Sequence, residues 1–403
     1  MAGRRRAVGR AGCLVAAGAL LAGVAGCGAD APRTDARSAA VQDVLDRRAR
    51  AVLGKDAAAY RATGGADPYL LLDLAAVPLD SWAYHLTRLD GSGSRVRAAA
   101  ELRYRVDGYD TAPVVAERTL TLLREDGRWR VVDDEPAAKS GEQLWEQGRI
   151  TAVKGAHSLV LGVGQQRSVL ASYADIADRA VPAVTDAWGR RWARRVVVLV
   201  PESLDGMGEL LGSPAASYRG IAAVTTGEAG GSGSAPADRV IINPEAYGVL
   251  GDLGKQVVLT HETAHVATRA VTTPATPLWL SEGYADWTGY RGTGRTAAEA
   301  APELRRAVRE GTPPATLPED ADFGFSGDSG KLARAYESGW LACRMIAERW
   351  GEAKLNAFYA AVGEHQRRAG AVEGALHKVL GIGEDDFAAK WRAYVRSELG
   401  DGS

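Results

Sequence analysis

The stretch Val257-Val258-Leu259-Thr260-His261-Glu262-Thr263-Ala264-His265-Val266 decides how the rest of the chain is read. It contains no Pro or Gly, and its apolar residues flank two histidines in a way compatible with an α-helix. Four residues at about 3.6 per turn bring two imidazoles back to nearly the same azimuth, so both can reach one zinc ion at about 2.0 to 2.1 Å. Glu262, one residue on, projects beside that axis toward an open coordination position, where a carboxylate can take a proton from bound water. The alternative is two histidines on an amphipathic helix, satisfied by backbone or solvent.

A zinc site with two histidines needs a third protein ligand and leaves its fourth position to water. After a turn containing Pro274 and Pro277 the chain runs Pro277-Leu278-Trp279-Leu280-Ser281-Glu282-Gly283-Tyr284-Ala285-Asp286-Trp287. This second short helix can pack antiparallel to the first and present Glu282 to the metal. Asp286, four residues later on the same face, can accept the free ring N–H of a ligating histidine and fix its tautomer. The plainer readings are a first-turn acid favoured by the helix dipole for Glu282 and a solvated face for Asp286.

His261-Glu262-x-x-His265, followed by Trp279-Leu280-Ser281-Glu282-Gly283 and Asp286, resembles the gluzincin clan of zinc peptidases, which includes thermolysin-like enzymes and zinc aminopeptidases. The resemblance implies Zn2+ held by His261, His265 and Glu282, Glu262 as general base, and Asp286 as an outer carboxylate. Tyr336-Glu337-Ser338-Gly339 resembles the Tyr-Glu-Lys-Gly stretch of the zinc aminopeptidases, with Ser338 in place of the lysine. There it implies that the Tyr336 hydroxyl donates to an oxyanion; an un-ionised phenol suits that task. No Gly-x-Met-Glu-Asn element precedes His261. Asn243 and Glu245 lie near its expected place but not in its pattern. Endopeptidase or narrow-substrate action is therefore expected over exopeptidase action, with Arg239 to Asn243 as a strand that could run beside the cleft and pair with an extended substrate.

Working outward, Val169 to Trp188 reads as a helix and Arg195-Val196-Val197-Val198-Leu199-Val200 as a buried strand ended by Pro201. Gly220 to Thr226 and Arg239 to Asn243 read as two more strands. Gly227 to Asp238 between them is glycine-rich and predicts a flexible hairpin tip, not a phosphate loop, which needs a helix opening directly after it. From Gly251 onward the pattern is helical, with a loop at about 311 to 330 marked by Pro313, Pro314 and Pro318. Nearer the start, Ser38 to about Ala62 is helical in pattern. Arg95 to Val106, Val114 to Leu123 and Arg128 to Val132 read as strands, with Asp126-Gly127 as a hairpin turn. Helix then antiparallel strands resembles cone-shaped domains of the nuclear-transport-factor-like or cystatin-like kind. No convergent catalytic pair is visible there, so a spacer or partner-binding role is expected, with a ligand pocket as the alternative.

The chain of 403 residues is 46% hydrophobic, enough for two or three packed units. Its first 26 residues hold Arg4, Arg5, Arg6 and Arg10, then an apolar run from Ala11 to Ala25 that is short for a bilayer span. The run ends in Val24-Ala25-Gly26-Cys27, which resembles a bacterial lipobox and implies a diacylated Cys27 on the outer face of the cell membrane; an ordinary signal peptide or an uncleaved anchor is the alternative. The formal net charge of −1 becomes more acidic once that basic leader is removed, so no nucleic-acid partner is expected. With Cys13 in the leader and Cys27 spent on lipid, Cys343 is left alone as a buried structural thiol. His85, His157, His365 and His377 have no ligand-spaced partner.

The chain thus predicts an α+β protein. A leader (1–26) and a tether (27–37) precede a small α+β cone-like module (38–135), and a zincin-like unit (142–400) follows, in which a mixed sheet leads into a helical half. The expected activity is zinc-dependent hydrolysis of a peptide or protein substrate, by an extracytoplasmic lipoprotein joined to the membrane through its N-terminal lipid. The alternative is a catalytically inactive peptidase fold serving as a binding or scaffold module.

Overall fold

The computed structural model describes residues 33–226, 237–324 and 328–400. The expected leader, Cys27 and most of the Gly227–Asp238 separator fall outside that set. Helices α1 (Arg33–Leu53), α2 (Ala57–Ala62) and α3 (Leu70–Asp73) lead into strands β1 (Leu79–Asp90), β2 (Arg95–Val106), β3 (Val114–Glu125) and β4 (Arg128–Pro136). Helix α1 begins at Arg33, inside the stretch read as tether. The helical pattern to Ala62 is broken because Lys55 takes a left-handed φ of 51° and Asp56 starts α2 afresh, accepting the Ala58 and Ala59 amides on its carboxylate.

The four strands form one antiparallel sheet in chain order. On β2 every second residue is buried, from Val96 through Ala98, Ala100, Leu102 and Tyr104 to Val106. That face shares a core with Val41, Val44 and Leu45 of α1. Between β3 and β4, Asp126 and Gly127 both take positive φ (49° and 78°), the geometry of a two-residue hairpin turn whose twist suits the strands.

A second sheet follows, built from β5 (Thr151–Lys154), β6 (Ser158–Gly162), β7 (Val196–Val200), β8 (Ala223–Thr225) and β9 (Val240–Ile242) in the order β5-β6-β7-β9-β8. It is mixed: β6, β7 and β9 run parallel, while β5 and β8 lie antiparallel at the two edges. Helix α4 (Arg167–Trp188) crosses over from β6 to β7. Alternation along β7 shows how both faces are covered. Val196, Val198 and Val200 pack with α4, whereas Val197 joins the core of the four-stranded sheet. The segment joining the sheets is packed as well, with Leu144, Trp145 and Ile150 buried in that core and Trp145 against Trp82 and Tyr104 at centroid distances of 5.2 and 5.0 Å.

Helices complete the chain: α5 (Leu204–Leu211) and α6 (Pro244–Gly248) beside the second sheet, then α7 (Asp252–Thr268), α8 (Leu278–Tyr290), α9 (Ala297–Ala300), α10 (Pro302–Arg309), α11 (Ser329–Trp350), α12 (Glu352–Gly363), α13 (Ala371–Ala375) and α14 (Glu384–Leu399). Among the described residues no helix is long and apolar enough to cross a membrane. Helix α8 is held between two neighbours at backbone range. A Cβ on Gly283 would lie 2.3 Å from the carbonyl carbon of Gly339 in α11, and one on Gly289 would lie 2.9 Å from the carbonyl oxygen of Val257 in α7. No larger residue permits either approach. Cys343 lies in the core of this half, with burial pushing its thiol well above the ordinary value.

Candidate metal centre

Helices α7 and α8 run antiparallel: Val257 faces Gly289, His261 faces Asp286, and His265 faces Glu282. The i, i+4 spacing stacks the two imidazoles on one face of α7, with ring centroids 4.7 Å apart and the Nε2 atoms 3.0 Å apart. Glu282 Oε2 lies 3.3 Å from His261 Nε2 and 3.5 Å from His265 Nε2. A tetrahedral ion bonded at about 2.0 to 2.1 Å separates its ligand atoms by about 3.3 Å, so these three atoms describe one face of such a tetrahedron. The fourth corner carries no protein ligand in this set, and no other group of three His, Cys, Asp or Glu among the described residues has comparable closeness.

Each donor is held in place. Asp286 Oδ1 lies 2.8 Å from His261 Nδ1; a proton on Nδ1 donates there and turns the Nε2 lone pair toward Glu282 and His265. Burial alone would pull the His261 pKa down, but Asp286 and Glu282 outweigh it and push the ring up to about 10. Glu282 is the converse: burial raises it, and the two imidazoles more than reverse that, holding it well below the usual carboxylate range. Both directions have one origin. Buried carboxylates lie against the two rings, and such a pocket stabilises positive charge.

Glu262 is buried beside this triangle. Its Oε2 lies 2.7 Å from the hydroxyl of Thr225, at the end of β8, and the same hydroxyl is 3.1 Å from the Glu262 carbonyl. A donor on one carboxylate oxygen restrains how the carboxyl is turned. Thr225 has no sequence signal of its own, because a single hydroxyl at a strand end gains meaning only from the helix packed beside it.

Tyr336, on α11, is brought to the same place: its ring lies 6.3 Å from that of His261 and 5.2 Å from that of Phe323. The Gly283–Gly339 approach is what lets α11 come this close to α8. Glu337, next along, is buried and accepts the backbone N–H groups of Glu303 (3.2 Å) and Leu304 (2.5 Å), closing the N-terminus of α10. Burial, opposed by the Leu304 amide and reinforced by nearby Asp286, raises its carboxyl to about 7.

One expectation changes. Strand β9, read as a partner for an extended substrate, has both edges taken, by β7 and β8; the outer position beside Glu262 belongs to β8. Asn243 and Glu245 are spent on structure. The Asn243 side chain caps α6 and donates to the Tyr218 and Ile221 carbonyls, and Glu245 lies 3.4 Å from the Leu204 amide.

No protein-family model matches the sequence, and no curated protein matches it. Among solved structures, its neighbours are M1 zinc metallopeptidases and an LTA4 hydrolase. A mutant two-domain M1 zinc metallopeptidase bound to L-arginine aligns with 78% of the chain at 13% identity and a TM-score of 0.37. Native yeast LTA4 hydrolase aligns with 79% at 10% and 0.38, and the M1 zinc metallopeptidase from Deinococcus radiodurans with 80% at 15% and 0.35. The alignments span 60%, 44% and 61% of those three chains, so the present protein corresponds to only part of each.

Proposed function

We propose that this protein is a zinc-dependent peptide hydrolase. The observation that carries the reading is the triangle of His261 Nε2, His265 Nε2 and Glu282 Oε2, with sides of 3.0, 3.3 and 3.5 Å, and the buried Glu262 carboxylate next to it. The donor set fits zinc: two imidazole nitrogens and one carboxylate oxygen on a buried face. When bound, zinc polarises a carbonyl as a Lewis acid and lowers the pKa of its water. Glu262 is then the base that takes a proton and passes it to the leaving amine, its carboxyl restrained by Thr225. Asp286 holds the His261 ring in one tautomer. Tyr336 supplies a neutral hydroxyl for the developing oxyanion, and the outer edge of β8 offers backbone groups to an extended peptide.

We extend the proposal to the rest of the chain. Cys27 carries the lipid that holds the protein on the outer face of the membrane, the 38–135 module is a partner or spacer unit beside the 142–400 peptidase unit, and the substrate is a peptide or protein. The test combines metal analysis of the purified protein with mass-spectrometric profiling of a mixed peptide library. One zinc per chain and cleavage abolished by a chelator are expected. Protein that takes up no stoichiometric zinc, even after reconstitution, would overturn the reading.

A further inference from the structure

The geometry points to a second binding site, for a small neutral apolar molecule, in the seam between the two sheets. A cavity of about 430 Å³ opens there, walled by Val106, Trp145, Leu161, Leu199, Leu210 and Ile241. Each of these belongs to a different element, so the cavity is a property of how β2, the 142–150 segment, β6, β7, α5 and β9 meet. Close-packed interiors rarely leave such room, and an apolar hole of about 150 Å³ already takes up benzene. A cavity of about 300 to 1,000 Å³ with mostly apolar walls is the ordinary dimension of a small-molecule site, and the meeting of two packed units is an ordinary place for one.

The chemistry of the walls narrows the ligand. Water is poorly served, because the Tyr104 and Arg239 side chains in the wall are already committed: Tyr104 Oη donates to Gln143 Oε1 at 2.7 Å, and Arg239 holds Asp110 by two bonds of 2.6 and 2.7 Å. That second pair cancels the one buried cation in the wall, so nothing there attracts an anionic head. At the rim, Glu142 is pushed above the usual carboxylate range by burial and by its neighbours Glu209 and Glu146, and further negative charge is unwelcome. What remains is an apolar body, since the Gln143 amide is itself taken by Tyr104 and by the Glu142 carbonyl. Val115 lines the mouth at 46% exposure, a large apolar residue left open to solvent where a ligand would cover it. Thr226 also lines the cavity, one residue beyond the Thr225 that touches Glu262.

The test uses two dyes with the same ring system, neutral N-phenyl-1-naphthylamine and anionic 8-anilinonaphthalene-1-sulfonate, titrated by fluorescence into the purified protein. The neutral dye is expected to saturate one site per chain and to bind at least about tenfold more tightly than the anionic one. Val115→Trp at the mouth and Leu210→Trp on the α5 wall are each expected to abolish binding; thermal melting identifies any variant that fails to fold, and the other then carries the test. Chelator treatment and Glu262→Gln are expected to leave dye binding unchanged, which separates this site from the hydrolytic reading. Equal affinity for both dyes, survival of binding in a folded tryptophan variant, or loss of binding on chelation would each overturn the inference.

Discussion

Buried charge is handled in opposite ways in the seam between the sheets and at the His261 site. Along the seam two guanidinium groups grip buried carboxylates: Arg118 lies between Asp134 (2.8 Å) and Glu146 (2.7 Å), and Arg239 holds Asp110. Each of those carboxylates has a guanidinium in direct contact. Around His261, the carboxylates of Glu262, Glu282 and Asp286 face two imidazoles and a hydroxyl, with Glu337 close behind. Closed pairs fasten elements together. An excess of buried carboxylate can be balanced only by protonation or by a cation, and with two imidazole nitrogens in the same triangle the cation of choice is zinc.

The comparison breaks first at Glu262. Glu262→Gln keeps the shape and the Thr225 contact but removes the base, and is expected to lower kcat about 10³-fold or more while zinc content stays at one per chain. His261→Ala should lose metal and activity together. Retained turnover in Glu262→Gln would move the chemistry to another group. The opposite behaviour is expected in the seam. Asp110→Ala removes the carboxylate that Arg239 grips, leaving it the Asp238 carbonyl, and should cost about 3 to 5 kcal/mol of unfolding free energy, read from denaturant melts, with zinc binding unaffected.

The site was more legible in the sequence than the fold around it, for physical reasons. His261, His265, Glu282 and Asp286 lie on two helices, where 3.6-residue periodicity converts spacing directly into direction. Strand β2 was legible because its alternation is unbroken, and the Asp126-Gly127 turn because both residues tolerate positive φ. Strand β1 carries no clear signal in the sequence. It is an edge strand with register irregularities at Leu79/Ser81 and Leu86/Arg88 and few inward residues beyond Trp82 and Tyr84. Strand β6, Ser158-Leu159-Val160-Leu161-Gly162, is buried throughout, and so short an apolar run has no period to betray it. Thr225, the Glu337 cap and the Gly283–Gly339 approach are products of tertiary packing alone.

A finer distinction comes from Asp286, which touches a candidate ligand and not the open corner. Asp286→Asn preserves a hydrogen-bond acceptor but removes the charge that orients the His261 ring, and should weaken zinc binding about 10- to 100-fold in a competition titration against a chelator. The equivalent change in the seam, Asp134→Asn beside Arg118, should leave zinc affinity where it was and appear only as lost stability. If the two substitutions had the same effect on zinc, the distinction between fastening and cation-holding carboxylates would fail.

The smallest expected effect is also the most particular. Glu337 is raised to about 7 in the folded protein because burial and the nearby Asp286 oppose its ionisation more than the α10 amides favour it. A carboxyl whose folded pKa exceeds its unfolded value of about 4.3 adds stability that is fully present below that unfolded value and is lost as pH rises through about 7. Melting temperatures of the zinc-loaded protein should therefore fall over this window by an amount that Glu337→Gln removes. Because Asp238 is also raised, to about 6, by burial that Arg269 only partly offsets, Asp238→Asn should flatten a lower part of the same curve. The Glu337→Gln difference should be larger with Asp286 present than in the Asp286→Asn background, since that neighbour supplies part of the shift. An unchanged difference would mean that Glu337 belongs to the packing of α10 and not to the excess of negative charge around His261.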